Sequence, residues 1–457
     1  MVVRFPPSPT GELHIGNIRT LLFNYLFARH HGGEIVMRFE DTDRERSKKE
    51  YEESALYTLK ALGLDFDKGP FRQSERGERY AEAIDTLLKS GAAYEGEQSR
   101  STSSGQANDG SGENVIRLKN PNREVTFNDA IRGGITIDTT DFGDFVIARS
   151  KQSPVYHLTV VVDDMDIGVT HVIRGEDHIT STPRQMLLIE ALGGTMPQYA
   201  HLPLIVGEDK KKLGKRHGAT TYREFERMGI VPEALVNYLA LLGWNPGDER
   251  EIFSKDELVK EFSLERVGKS PAMFSYEKLA SINYQYMLKM DEAEYAKRVL
   301  DVLHNMQETP VAEDIAKFIV QNEKRGGTLV KNVIKERANM FGDIPAMVEK
   351  GEFVWVFGAG DYTTEKLVWK DSSHEETLGF LQAVYDMLKE VEESAFSTEN
   401  IKGVLWEFAT KEGRGAVLWP LRYALTGMEK SPDPFTVAEI LGKEETLKRL
   451  KDATAKL

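Results

Sequence analysis

Along the first 40 residues the apolar positions change period twice. Val2–Phe5 is a short apolar run that reads as a strand. Pro6-Pro7-Ser8-Pro9-Thr10-Gly11 is dense in turn residues. Ile18, Leu21, Leu22, Tyr25 and Leu26 then recur at i, i+3, i+4, i+7 and i+8, a helix with one buried face that Gly32-Gly33 brings to a stop. Ile35–Phe39 resumes as a strand and runs into carboxylates. Strand, helix and strand at this spacing predict a parallel pair with a right-handed crossover. Further on, Tyr156–Val162 (YHLTVVV) is read as another strand, followed by Asp163, Asp164 and Asp166, and Val169–Ile173 leads as an apolar segment into Arg174. From about residue 232 helical periodicity dominates, with mixed-charge tracts such as Glu376–Val391 and Leu441–Leu457. The N-terminal half therefore reads as α/β and the C-terminal half as nearly all α, with no internal repeat.

Composition narrows the classes. At roughly 150 residues per domain, 457 residues suggest about three domains. Hydrophobic residues at 40% and charged residues at 29% fit a globular chain and argue against disorder. No apolar run reaches the 18 or so residues of a membrane span, and the start of the chain is too briefly apolar for a signal peptide, so a cytoplasmic protein is expected. The absence of cysteine removes disulfides, thiol nucleophiles and Cys-ligated zinc. A net charge of −14 disfavours a uniformly basic nucleic-acid binder but leaves room for one local basic surface. Residues 98–114, polar and rich in Ser and Gly, read as a linker or surface loop.

Two segments carry the chemistry. PSPTGELHIGN (Pro7–Asn17) lies between a strand and a helix N-terminus, where free backbone N–H groups and the positive end of the dipole suit a phosphate. Gly16 admits a ligand close to the backbone, and His14 can donate to a phosphate oxygen; capping alone is the plainer reading of His14. Lys210, Lys211, Lys212, Lys215 and Arg216 crowd a segment loosened by Gly214 and Gly218. Such cations suit a departing pyrophosphate, although a solvated charge run is the commoner fate of such a cluster. The three aspartates after Tyr156–Val162 have no spacing specific to a metal and are expected to be structural.

PSPTGELHIGN resembles the HIGH-type signature of class I aminoacyl-tRNA synthetases, in the form carried by the glutamyl-tRNA synthetases. Phe39–Arg46 (FEDTDRER), Val172–His178 (VIRGEDH) and Lys211–Ala219 (KKLGKRHGA) resemble that family's IEDTD, IRGED and KLSKRHGA segments, in the same order, and the likeness runs through Lys269-Ser270-Pro271 and Pro420–Gly427 over nearly the whole chain. Departures are Asn17 at the last HIGH position, Pro6 for the usual Ala, Gly214 for the Ser of KLSKR, and a shorter stretch between Tyr94 and Val115.

The resemblance implies a Rossmann-like α/β class I synthetase catalytic domain at 1–80 and 155–209, interrupted at 81–154 by a shortened acceptor-end-binding insertion. A stem-contact region with the KKLGKR loop follows at 210–310, then an all-α anticodon-binding region at 311–457. It implies attachment of glutamate to the terminal adenosine of tRNA(Glu) through a glutamyl-adenylate. The substrates and partners are ATP with its Mg²⁺, L-glutamate and tRNA(Glu), and a monomer is expected. It places His14, Lys212, Lys215 and Arg216 in catalysis. Pro9, Thr10, His14, Gly16 and Lys215 would meet ATP. Arg4, Tyr156 and Arg174 would hold the γ-carboxylate, with Glu40 on the α-ammonium and Ser8 lining the site. A guanidinium fork is the natural receptor for a carboxylate. The alternative for Arg4 and Arg174 is a structural pairing with Asp41, Asp43, Glu176 or Asp177. At the level of function the alternatives are an enzyme that also charges tRNA(Gln) and a non-catalytic tRNA-binding paralogue.

Overall fold

The computed structural model describes residues 1–97, 114–306, 309–359, 362–370 and 372–457, apart from the side chain of Lys215. Most of the stretch read as a linker or loop, 98–114, lies outside the described residues. The chain divides into two compact units, Met1–Glu226 with Val231–Ile282, and Arg227–Ile230 with Asn283–Leu457.

The first unit opens with β1 (Val2–Phe5), α1 (Ile15–His30) and β2 (Glu34–Phe39). Then come α2 (Lys49–Ala61), β3 (Lys68–Arg72) and α3 (Gly77–Lys89). The strands β1, β2 and β3 pair in parallel in that order. An antiparallel excursion follows: β4 (Ala93–Glu97), β5 (Asn114–Leu118), β6 (Glu124–Asp129), β7 (Gly133–Asp138), β8 (Phe145–Ser150) and β9 (Ser153–Pro154). The chain returns through α4 (Tyr156–Ile167), β10 (His171–Gly175), α5 (Thr182–Ala191) and β11 (Gln198–Leu202). The pair β10–β11 is parallel. Thr170 donates its N–H to Val2 O (3.0 Å) and accepts from Val2 N–H (2.9 Å), which sets β10 beside β1. Side by side the strands run β3, β2, β1, β10, β11, so the chain reverses direction of build between β1 and β10. In a doubly wound sheet the ligand crevice lies at that reversal, outside the carboxyl ends of the strands.

Two elements differ from the sequence reading. α1 is buried nearly all round rather than on one face, with Ile15, Ile18, Leu22, Phe23 and Leu26 fully covered. The strands lie on one side of it, and helices Pro232–Leu241 and Lys255–Glu261 close the other, with Phe23 meeting Phe262 edge to face at 5.2 Å. The second difference is Tyr156–Val162, which is not a strand but the start of helix α4. Residues Leu158 through Asp164 are all buried, so no alternation or helical stripe shows in the pattern. A continuous apolar run cannot separate strand from helix. The distinguishing signal is Gly168, which ends the helix in the left-handed conformation (φ 75°), while Val169 N–H closes back onto Asp164 O (2.9 Å).

The helix places Asp163 and Asp166 on one face and Asp164 on another. All three serve ion pairs. Asp163 accepts from Gln73 (2.8 Å), Arg76 (2.8 Å) and Tyr80 (3.0 Å) and lies 3.4 Å from Arg38, whose guanidinium is fully buried. Asp166 pairs with Arg76 and Arg79. The expected structural role of the cluster is what the fold displays.

The second unit is helical. Tyr295, Val299 and Leu303 form the buried stripe of helix Glu292–Asn305, and Leu381, Val384 and Leu388 that of helix His374–Lys389. Ser373 and Glu376 close a capping box on the latter, and Asp433 caps helix Pro434–Leu441 through Phe435 and Thr436 N–H (both 3.0 Å). Buried Arg449 donates to Trp355 O (2.7 Å) and Leu425 O (2.6 Å), satisfying carbonyls the helices leave open.

Removing one partner of a buried, hydrogen-bonded charge network strands the others. Asp163→Ala is expected to lose about 3–5 kcal/mol from the unfolding of the first unit. Urea denaturation read by tryptophan fluorescence and circular dichroism checks this, and a loss under about 1 kcal/mol would show that Gln73, Arg76 and Tyr80 re-partner without Asp163.

Candidate active site

The loop after β1 is anchored at both shoulders: Glu40 N–H donates to Pro7 O and Lys48 N–H to Pro9 O, each at 3.0 Å. Pro9 is buried by this, while Ser8 and Thr10 stand exposed. His14 caps α1, its Nδ1 accepting from Gly16 N–H at 3.2 Å. A ring nitrogen that accepts carries no proton, so the proton of the neutral ring sits on Nε2, available as a donor. Burial, with Lys212 adding to it, holds the His14 pKa below its ordinary value, which keeps the ring neutral. The free N–H groups expected at the helix start are already engaged: Ile15 N–H bonds Thr220 O (2.7 Å), and Asn17 N–H bonds His14 O (2.8 Å). A Cβ added at Gly16 would meet only His14 Nδ1 at 3.6 Å, so packing within the chain does not demand glycine there.

Arg4 on β1 and Arg174 on β10 meet at the strand reversal. Both are buried, 3% and 5% exposed, and the Arg4 charge adds to burial in lowering the Arg174 pKa. Arg4 Nε donates to Asp164 Oδ2 (3.2 Å), while Asp164 Oδ1 accepts from Arg38 (2.8 Å). Burial pushes Asp164 up, but Arg4 and Arg38 outweigh it and hold the carboxyl below its ordinary pKa. Arg38 reaches Glu40 at 3.3 Å. Glu40 is pushed up by burial, with Arg38 and Arg4 only partly offsetting this.

Arg174 is different. Its three nitrogens donate to His201 Nε2 (3.2 Å), Gln185 Oε1 (2.7 Å), Thr182 Oγ1 (2.8 Å) and weakly to His178 O (3.4 Å). All are neutral acceptors, and among the described residues no carboxylate pairs with it. Burial lowers its pKa accordingly. The structural pairings considered from sequence do not form. Asp41 accepts from Ser74, Asp43 from Arg46, Glu176 from Arg132 and Leu204 N–H, and Asp177 from Lys212. Tyr156, the first residue of α4, is 38% exposed; burial of its hydroxyl and the nearby Glu40 raise that group's pKa, and Arg174 and Arg4 oppose them. Arg4, Glu40, Tyr156 and Arg174 thus lie close together at the strand reversal.

The basic segment turns back on itself. Leu213 N–H bonds Ile205 O (3.0 Å), Gly207 N–H bonds Lys211 O (2.9 Å), and Lys210 adopts φ 58° at the turn. Lys212 pairs with Asp177 (3.1 Å) and Arg216 with Asp209 (3.4 Å), both in solvent. Through Thr220 O on Ile15 N–H, the end of this segment is stitched to the start of α1, beside His14. The side chain of Lys215 lies outside the described residues.

Sequence reasoning missed Arg38, His201, Thr182 and Gln185. Arg38 had a signal: an arginine inside the apolar run of β2 must find buried carboxylates. The others had none, since a lone His or Gln in an apolar segment reads as packing.

Comparison with known proteins shows the family. A family model for class I tRNA synthetases (E and Q), catalytic domain, matches residues 1–102 and 97–281, and an anticodon binding domain matches 282–454. A glutamate–tRNA ligase of Sulfurihydrogenibium sp. is 40% identical, covering 98% of this chain and 98% of the relative. One from Aquifex aeolicus is 41% identical over 99% and 98%. The crystal structure of a glutamate tRNA ligase from Elizabethkingia meningosepticum in complex with its amino acid is similar at a TM-score of 0.81 and 30% identity, covering 100% of this chain and 99% of that one. With both halves matched end to end, the chain belongs to the class I tRNA synthetases of the E and Q type.

Proposed function

We propose that the chain is a glutamate–tRNA ligase. The α-carboxylate of glutamate attacks the ATP α-phosphate and pyrophosphate leaves. A ribose hydroxyl of the terminal tRNA adenosine then attacks the adenylate carbonyl and AMP leaves. The observation that carries the reading is Arg174, a buried cation held only by neutral acceptors beside Arg4 at the strand reversal. A γ-carboxylate supplies the charge that Arg174 lacks, whereas the neutral amide of glutamine does not. Glu40 takes the α-ammonium, and Tyr156 and Ser8 line the same site.

His14 donates from Nε2 to a phosphate oxygen, and Pro9, Thr10 and Gly16 line the way to it. Lys212, Lys215 and Arg216 meet the triphosphate, with Lys212 leaving Asp177 to do so. No covalent nucleophile is needed, because positioning and charge stabilisation suffice for transfer at phosphorus. Among the described residues no group of three or more His, Asp or Glu is set to hold a metal. Mg²⁺ would enter with the ATP phosphates and neutralise part of their charge. The segment 81–154 receives the acceptor end, 210–310 the stem and 311–457 the anticodon of tRNA(Glu). The enzyme is read as a cytoplasmic monomer; no helix among the described residues is long and apolar enough to cross a membrane.

ATP–pyrophosphate exchange that requires glutamate and tRNA tests the function directly, and its absence under every condition would leave a non-catalytic paralogue. Arg174→Ala should reduce kcat/KM for glutamate roughly thirty-fold or more, the equivalent of about 2–5 kcal/mol. The KM for ATP should stay within about threefold of wild type. Equal damage to both substrates would make the arginine structural. Lys215→Ala should lower kcat by about 10²–10³-fold with little change in ATP KM, as expected for a contact made in the transition state. Gly214→Ser should be neutral or mildly favourable, since a Cβ at Gly214 meets nothing within 4 Å. Loss of activity in Gly214→Ser would show that the loop depends on glycine. Despite the charge of −14, tRNA binding should weaken steeply with salt in filter-binding titrations, because local cations displace condensed counterions.

A further inference from the structure

Arg174 lies against a buried imidazole. His201 on β11 has no exposed atom, and both ring nitrogens are engaged. Nδ1 lies 2.6 Å from Asp129 Oδ2, and Nε2 lies 3.2 Å from Arg174 Nε. A guanidinium only donates and an ionised carboxylate only accepts. The imidazole is therefore neutral, with its proton on Nδ1 and a lone pair on Nε2 aimed at Arg174. Burial lowers the His201 pKa; the Asp129 bond opposes this and the Arg174 charge reinforces it, leaving the ring in its neutral form.

Asp129 is equally fixed. It ends β6 and is the residue through which β6 pairs with β11, opposite Tyr199. Its Oδ1 accepts from Ile131 N–H (3.0 Å), Arg132 N–H (2.8 Å) and His201 N–H (3.3 Å). One oxygen is thus committed to the backbone and the other to the imidazole. The tyrosine of the same strand, Tyr199, stacks on the His201 ring (9°, 6.2 Å) and restrains its plane. Thr182 completes the arrangement, accepting from Arg174 while donating to His178 O (3.1 Å).

We propose that Asp129 and His201 are a positioning pair for substrate recognition: Asp129 sets the tautomer of His201, and that tautomer holds the Arg174 guanidinium toward the side-chain carboxylate of the amino acid. Neither residue touches the substrate. The pair rests on the glutamate reading given above, and it ties the inserted antiparallel segment to the amino-acid pocket through the Asp129 side chain.

Asp129→Asn separates positioning from folding. The amide oxygen can keep the three backbone N–H bonds, which turns the amide NH₂ toward Nδ1. The imidazole must then accept at Nδ1 and carry its proton on Nε2, facing the Arg174 Nε–H donor to donor. In the full-length enzyme, KM for glutamate should rise roughly ten- to a hundredfold, the scale of a binding group displaced by about 1 Å. ATP KM and the thermal midpoint should hardly move. Nitrogen-15 NMR of histidine-labelled protein reads the tautomer itself, with the His201 signal assigned by its loss in His201→Gln. The wild type should carry the proton on Nδ1 and Asp129→Asn on Nε2. A wild-type proton on Nε2, an unchanged tautomer in Asp129→Asn, a glutamate KM within about threefold, or glutamate and ATP KM rising together would each overturn the pair. A wild type that uses no glutamate would instead remove the functional reading, while the tautomer measurement would still decide on Asp129 and His201.

Discussion

A guanidinium with no exposed atom, that of Arg38, organises the charges of the catalytic unit. It sits between Asp163, Asp164 and Glu40, so three carboxylates from two elements take their places from one cation. Asp164 in turn fixes Arg4 through its other oxygen. A buried ion pair is poor evidence for stability, because desolvation offsets most of the attraction. What it supplies here is geometry. Each group in the row Arg4, Asp164, Arg38, Glu40 has one arrangement that satisfies the next, and the row leads from β2 to the mouth of the crevice at β1.

Arg174 stands outside that row, and the contrast has a chemical meaning. Arg4 and Arg38 are neutralised by the fold, whereas Arg174 is held by a histidine lone pair, a glutamine oxygen and a hydroxyl. Neutral acceptors satisfy its N–H groups without cancelling its charge. The guanidinium is thus held by hydrogen bonds with no opposite charge beside it, the arrangement that, on the glutamate reading proposed above, favours a carboxylate over an isosteric amide.

How much of this the sequence displayed depended on whether each residue's role was local. β1, α1 and β2 were legible because their apolar periods and the Pro/Gly punctuation are contiguous, and the helical half because its stripes repeat. Helix α4 was misread since burial on every side erases periodicity. Arg4, Glu40, Tyr156 and Arg174 could be singled out through the motifs around them. Asp129, 72 residues away from His201, could not, because nothing local marks two side chains that meet only when β6 joins β11. The stretch between Tyr94 and Val115 drew notice for its shortness and its Ser/Gly-rich composition, yet the excursion around it carries Asp129, the carboxylate against the His201 imidazole.

A buried cation without a carboxylate partner, such as Arg174, costs the fold stability. Replacing a neutral acceptor of Arg174 with a carboxylate would relieve the buried charge and strengthen the fold, and it would also occupy the position a substrate carboxylate needs. Stability and recognition compete for the same guanidinium, as they do wherever a site is kept strained for its ligand. Binding resolves the competition by linkage: a ligand that binds only the folded form, at 100 times its Kd, adds about 2.7 kcal/mol to its stability. The same logic explains why the row of charges beneath Arg4 is so fully paired. On the glutamate reading Arg174 is kept for the substrate, while Arg4 and Arg38 are paired within the chain by Asp163, Asp164 and Glu40.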